Sequence, residues 1–343
     1  MIYTLALVGF GTVSQGLAGL LVDKADVLAQ QHGATFRVTT IATRSRGTLH
    51  DPAGLDLSVA LQAAQTGSLD AYPGDCLKRW DGVQAIRRSG AQVVVENTPT
   101  NLDDAEPAMT HFKTALEGGQ HVITANKGPI ALAYKALEQL AQKHHVHLLF
   151  EGTVLSGTPI LSLARCGLGG CHISQIKGVL NGTTNYILSQ MEEGMGYDEA
   201  LARAQALGFA EADPSADVDG WDALAKVVIL ANVLMGANLS VDDVEREGIA
   251  GITAADVARA KAENRRWKLI GSARREGEAI KASVQPTLIP LDDPLAGVGA
   301  AMNALTFCTD VLQSVTIRGV GAGGPQTGFA VLSDLLELHR RLS

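Results

Sequence analysis

Residues 209–226 read FAEADPSADVDGWDALAK and crowd the carboxylates of Glu211, Asp213, Asp217, Asp219 and Asp222 ahead of one lysine, Lys226, with Glu199 further upstream. Three chemistries use such a stretch: a calcium loop, a solvated acidic surface, or a site where a carboxylate and an ammonium handle a proton. A calcium loop follows D-x-[DN]-x-[DN]-G with glutamate twelfth. Asp217, Asp219 and Gly220 fit its third, fifth and sixth positions, which leaves Ser215 first and Lys226 twelfth. A lysine where the bidentate carboxylate belongs excludes calcium. In a helix that starts after Gly220, Asp222 and Lys226 stand at i and i+4, one turn apart on one face. An exposed pair of this kind is worth only about 0.3–0.5 kcal/mol. Lys226, however, is the only charged residue between Asp222 and Asp242, in a run apolar enough to be buried nearly all round. A lysine there needs partners, and partial burial lets an ammonium exchange a proton near neutral pH.

A second constellation stands at the N-terminus. Gly9-Phe10-Gly11-Thr12-Val13-Ser14 separates the apolar run YTLALVG from a stretch with Leu and Val at helical spacing, VSQGLAGLLVDKADVLAQ, which leads into the strand-like ATFRVTTIATR. Between strand and helix, Gly9 permits a tight turn, Gly11 lets the backbone approach a pyrophosphate, and the helix N-terminus offers unpaired N–H groups. Ser14 replaces the third glycine of this dinucleotide fingerprint. The second strand ends in Arg44 and Arg46, with no carboxylate for the ribose hydroxyls. Arginine there suits a 2′-phosphate and favours NADPH over NADH; otherwise both arginines face solvent.

The elements that must position these groups follow from periodicity. Strands at AQVVVENTPT, HVITAN and VHLLFEG alternate with helices near 103–117 and 129–144, which predicts a Rossmann-like nucleotide-binding domain over residues 1–150. Beyond Glu151 the pattern changes to a strand at GCHISQIKGVLNG, three helices and three later strand-like runs, the mark of an α+β substrate domain with a mixed sheet over 151–318. The closing segment, 319–343, is a glycine turn and an amphipathic helix that completes the first domain.

At 343 residues the chain exceeds what one core usually serves. A net charge of −8 argues against a nucleic-acid partner, and the nearest basic patches that could reverse this are the isolated pairs Arg87-Arg88 and Arg265-Arg266. The N-terminal apolar run is too short to span a bilayer and lacks a basic flank. Cys76, Cys166, Cys171 and Cys308 have neither metal spacing nor export context, so reduced thiols in a cytoplasmic protein are expected. His144, His145 and His147 straddle a helix end and a strand start without a second ligand cluster, and read as surface residues.

The stretch GFAEADPSADVDGWDALAK, with KGVLNGTTNYIL, TANKGPIA, EGTVLSGTPI and GVGAGGPQTGFAVLSDL, resembles the blocks of the homoserine dehydrogenase family, in the family's order and from end to end of the chain. The resemblance implies NAD(P)-dependent interconversion of L-homoserine and L-aspartate 4-semialdehyde, a step towards threonine, isoleucine and methionine. It implies Lys226 as general acid and base, Lys127 as a second active-site lysine, and Glu211 and Asp222 as substrate-binding residues, while Asp213, Asp217 and Asp219 shape the loop. The cofactor contacts it implies are Phe10, Thr12, Val13, Arg44, Thr98, Lys127, Gly208 and Gly321. It implies a structural sodium or other monovalent cation held by the Glu151 carboxylate and the carbonyls of Val154, Ser156 and Thr158, a loop that otherwise is only a strand-to-helix turn. The polar residues of NGTTNY face the substrate, or Thr183 or Thr184 caps a helix there. A homodimer or higher homo-oligomer through the substrate-domain sheet is likewise implied.

The closing turn has Gly328 where the family commonly has alanine. The chain ends at Ser343, soon after the return helix, so neither a regulatory ACT domain nor an aspartate kinase is expected, and no threonine inhibition through an ACT domain. Two other functions share these features: a non-catalytic dinucleotide-binding paralogue, and a dehydrogenase of a related amino-acid aldehyde.

Overall fold

The apolar run after Met1 forms β1 (Ile2–Val8), buried continuously from Leu5 to Val8; a parallel strand covered by helices on both faces reads as such a run. The computed structural model describes all 343 residues, and β1 is central to the first of two units, Met1–Gly157 with Gly323–Ser343. The chain then adds α1 (Thr12–Asp23), α2 (Ala25–His32), β2 (Thr35–Ala42), β3 (Thr48–His50), α3 (Leu57–Gln65), β4 (Leu77–Lys78) and α4 (Gly82–Arg88). It continues through β5 (Val93–Glu96), α5 (Ala108–Glu117), β6 (His121–Thr124), α6 (Lys127–Lys143) and β7 (Leu148–Leu149). The strands lie in the order β4-β3-β2-β1-β5-β6-β7. Those from β2 to β7 in that order run parallel, and β3 and β4 form an antiparallel edge. Strand order reverses between β1 and β5, the switch point beyond whose carboxyl ends doubly wound sheets bind ligands.

The last helix, residues 324–342, belongs to this unit and packs along α1. Its Val331, Leu335 and Leu338 join Leu5, Leu7, Leu17 and Val95 in one core. Close approach depends on glycine: a Cβ at Gly16 would collide with the Gly324 carbonyl, and one at Gly328 with the backbone of Gly16 and Leu17.

Several boundaries differ from the periodicity. The expected first helix is two helices broken at Lys24 (φ −109°, ψ 10°), with no glycine or proline to mark the break. The helix expected near 103 begins at Ala108, because the side chains of Asn101 and Asp104 take the N–H groups of Asp103 and Glu106 and hold the preceding residues in turns. The strand expected over VHLLFEG pairs only at Leu148–Leu149. Helices α3 and α4 were not expected.

The second unit spans Thr158–Ala322. After a helical turn α7 (Ile160–Ser162) come β8 (Ile173–Val179), α8 (Gly182–Glu192), α9 (Tyr197–Ala206), α10 (Ser215–Val218), α11 (Trp221–Leu234), β9 (Glu245–Arg246) and α12 (Ala254–Ala262). Strands β10 (Arg265–Glu276), β11 (Ala279–Pro290), β12 (Met302–Thr309) and β13 (Gln313–Val320) follow, and the 324–342 helix is α13. The sheet order is β13-β12-β8-β10-β11-β9, antiparallel except for the β11–β9 pair. Strand β12 and helix α12 went unread in the sequence. Helix α11 is buried from Ala223 to Ala231 and packs on β10 and β11. Gly271 of β10 lets it do so, since a Cβ there would sit 2.7 Å from Val227 and from Leu180.

Candidate active site

On the first unit, the glycine turn lies at the switch point. Gly9 has φ +89°, and a Cβ on it would stand 2.5 Å from the Asn97 carbonyl, so the loop after β5 closes directly onto the loop after β1. Gly11 is the N-cap of α1 with no side-chain cap bond, and nothing lies within 4 Å of where its Cβ would be. The N–H groups of the first turn are therefore left for a ligand, in the positive end of the helix dipole. Thr12 and Val13 begin that turn and Phe10 is buried beneath it. Ser14 is fully buried and accepts a 3.2 Å bond from Asn97 Nδ2. Gly16, two residues on, sets the close approach of α1 to α13. Arg44 is exposed just beyond β2.

Thr98 follows β5, and its hydroxyl donates to Glu96 Oε1 at 2.5 Å. Lys127 opens α6, half-buried, behind the N-cap Asn126, whose Oδ1 accepts from Gly128 N at 3.1 Å. Gly208, left-handed at φ +74°, and Gly321, after β13, belong to the second unit. A Cβ on Gly321 would overlap the amide of Asn303.

On the second unit, Lys226 lies in α11 with 6% of its surface exposed. Its ammonium donates to Asp222 Oδ2 at 2.6 Å and to the Leu180 carbonyl at 2.7 Å. Asn181, at the N-terminus of α8, donates from Nδ2 to the same Asp222 oxygen at 2.9 Å and to Asp217 Oδ1 at 2.6 Å. One amide thus ties α8 to α10 and α11. Burial pushes the Asp217 carboxyl above its usual range and the Asp222 charge adds to this, while the hydrogen bond from Asn181 opposes it. The residue that caps α8 is Asn181, whose Oδ1 accepts from Thr184 N at 2.9 Å, and not Thr183 or Thr184. The helix starts at Gly182, so both threonines lie inside its first turn; Thr183 donates to the Phe209 carbonyl instead.

Lys226 and Asp222 are therefore brought together, while Glu211 is exposed and engages Gln205 through its backbone carbonyl. Sequence reasoning missed the part of Asp217, given there to loop shape alone. The D-x-x-G-x-D spacing was the available signal, since it puts Asp217 and Asp222 on adjoining turns.

Glu151 is buried, and its N–H donates to Asp334 at 2.8 Å. Leu155 and Ser156 are consecutive left-handed residues (φ +56° and +55°), an unusual strain for non-glycine backbone. Thr158 begins the second unit, with its carbonyl accepting from Ile160 N. No cluster of three or more His, Cys, Asp or Glu suited to a metal exists in the chain. His121 and His147 stack with centroids 5.4 Å apart, and burial pushes His121 down to about 4. No helix is long and apolar enough to cross a membrane.

Two family models match the chain. "Homoserine dehydrogenase, NAD binding domain" covers residues 9–151 and "Homoserine dehydrogenase" covers 159–336. An NAD(+)-dependent homoserine dehydrogenase from Pseudomonas canavaninivorans is 43% identical over 98% of this chain and 96% of its own length. A homoserine dehydrogenase from Methanocaldococcus jannaschii is 42% identical over 97% of each chain. Among solved structures, a hyperthermophilic archaeal homoserine dehydrogenase in complex with NADPH superposes with a TM-score of 0.85 at 31% identity, over 99% of this chain and 98% of the other. With a glycine turn at the switch point, a buried Lys226–Asp222 pair and both family models in register, this chain belongs to the homoserine dehydrogenase family, NAD(P)-dependent oxidoreductases that interconvert L-homoserine and L-aspartate 4-semialdehyde.

Proposed function

We propose that Lys226 is the proton donor and acceptor of this reaction and that Asp222 holds it in place. The observation that carries the reading is the coordination of its ammonium. Two of the three N–H donors are committed, to Asp222 and to the Leu180 carbonyl, which leaves one for a substrate oxygen. When bound, the dinucleotide supplies the hydride. Negative charge then builds on the aldehyde oxygen, where a buried ammonium both stabilises it and neutralises it by giving up a proton. In the reverse direction Lys226 takes the hydroxyl proton. Lys127 acts as a second lysine of the site, and Glu211 with Asp222 binds the substrate, whose amino and carboxylate groups need mixed charges around them.

The dinucleotide is held at the turn Phe10, Thr12 and Val13, at Arg44, at Thr98 and Lys127, and at Gly208 and Gly321. Arg44 without a neighbouring carboxylate supports NADPH as the preferred form, with NADH a possible substitute. A structural monovalent cation is held by Glu151 with the carbonyls of Val154, Ser156 and Thr158. Hard oxygen donors suit such an ion, and the strained pair Leu155–Ser156 supports this reading of the loop. The chain forms a homodimer or higher homo-oligomer through the second unit's sheet. Its edge strand β13 is exposed at alternate positions, with Val311 and Leu312 exposed in the turn before it.

The test is NADPH oxidation with aspartate semialdehyde, for the parent and for Lys226→Ala. The expected loss in kcat is about 10²–10⁴-fold, with the Kd for NADPH within threefold of the parent. An unchanged kcat in the variant overturns the assignment.

A further inference from the structure

Glu96 ends β5 between Val8 of β1 and Thr124 of β6, the two strands beside it at the switch point. Its side chain is completely buried, in a position where a carboxylate is costly unless fully hydrogen-bonded. It is satisfied by four donors. Oε1 accepts from the Thr98 hydroxyl (2.5 Å), from His111 Nδ1 (3.1 Å) and from Thr98 N (3.4 Å), and Oε2 accepts from Asn126 Nδ2 (3.3 Å). The same Asn126 amide donates to the Thr98 carbonyl at 2.9 Å, and its Oδ1 caps α6 at Gly128. One buried carboxylate thus joins the loop after β5 to the start of α6. These two segments carry Thr98 and Lys127.

We propose that Glu96 is a positioning residue for cofactor binding: its carboxylate holds Thr98 directly, and Lys127 through Asn126, in the arrangement that receives the dinucleotide. This rests on the reading of Thr98 and Lys127 as cofactor contacts. His111, itself buried on α5 against Gly82, fixes the carboxylate from the far side, away from the cofactor loops. A charge-free side chain of the same shape cannot replace the glutamate without loss, because each carboxylate oxygen faces a nitrogen that donates and cannot accept, Thr98 N at Oε1 and Asn126 Nδ2 at Oε2. In Glu96→Gln the amide NH₂ must face one of the two. Opposite Asn126 it is met only if that amide flips and gives up the α6 cap, and opposite Thr98 it displaces the backbone N–H that the carboxylate now accepts.

The experiment is an equilibrium titration of the full-length protein with NADPH, read by cofactor fluorescence, on Glu96→Gln, Asn126→Ser and Lys127→Ala. Serine at 126 retains a helix cap and removes both the Glu96 and the Thr98 links, so it tests the chain of contacts even if the Glu96 variant does not fold. Roughly tenfold weaker binding is expected for Glu96→Gln and Asn126→Ser, the scale of one lost hydrogen bond to a charged group. In folded Glu96→Gln, the KM for aspartate semialdehyde should stay within twofold. Binding within twofold of the parent in both variants, beside a Lys127→Ala that is impaired, overturns the positioning role alone. A Lys127→Ala with unaltered cofactor binding and turnover overturns the reading beneath it, and the proposal with it.

Discussion

Asn181 and Asp222, 41 residues apart in sequence, share a 2.9 Å hydrogen bond to the same carboxylate oxygen that receives the Lys226 ammonium. That oxygen is therefore held from two sides, and Asn181 also restrains Asp217. Asn181→Ser keeps an α8 cap but removes the bridge. The kcat/KM should fall about 10- to 100-fold, the effect of one or two lost hydrogen bonds to charged groups. Losing the Asn181 bond removes an influence that holds Asp217 down, so any Asp217-dependent limb of the pH–rate profile should move to higher pH. A variant with kcat/KM within twofold of the parent would show that the bridge has no part in catalysis.

Gly9 is required for two separable reasons, a left-handed φ and the nearness of Asn97. Gly33 has a similar φ of +66° with nothing within 4 Å of a Cβ. Urea unfolding should therefore show a cost of about 1–2 kcal/mol for Gly33→Ala and about 2–4 kcal/mol for Gly9→Ala, the difference being the clash. The Gly9 variant should also lose dinucleotide affinity. Equal losses of stability in the two variants would contradict the packing explanation.

The proposed function has Arg44 bind the 2′-phosphate that distinguishes NADPH from NADH. Steady-state assays of Arg44→Ala should show the KM for NADPH rising about tenfold or more while that for NADH moves less than threefold. A parallel change for both cofactors would place the specificity elsewhere.

Lys268 is 1% exposed, donates to Asn185 Oδ1 and to the Val298 carbonyl, and is pushed down to about 8 from 10.5 by burial. Its folded value lies below its unfolded one. Between these values the unfolded chain binds the proton and the folded chain does not, so stability is present above pH 10.5 and is lost as pH falls through 8. Relative to Lys268→Met, the parent should gain up to about 3 kcal/mol between pH 8 and pH 10.5. Urea unfolding of both proteins across that range measures it, and a pH-independent difference would show that Lys268 folds with its charge intact.

Much of the fold was legible because its signals are local. Strand and helix periods, the glycine turn after β1 and the i, i+4 spacing of Asp222 and Lys226 each lie within one or two turns of chain. The breaks that were misread, at Lys24 and ahead of Ala108, carry no glycine at the break or depend on side chains competing for backbone.

The order of residues alone determined that Lys226 must be buried, since an apolar run of that length leaves no wet face, and that Gly9 must turn tightly. It could not show that Asn181 meets both Asp217 and Asp222, that the Leu180 carbonyl accepts a second Lys226 N–H, or that Gly16 lets α13 close onto α1. Those contacts depend on how α8 and α11 pack in the second unit and how α13 lies along α1 in the first. They join residues from 36 to about 300 positions apart. Such pairings arise from the packing of whole elements, and no periodicity within a single element encodes them.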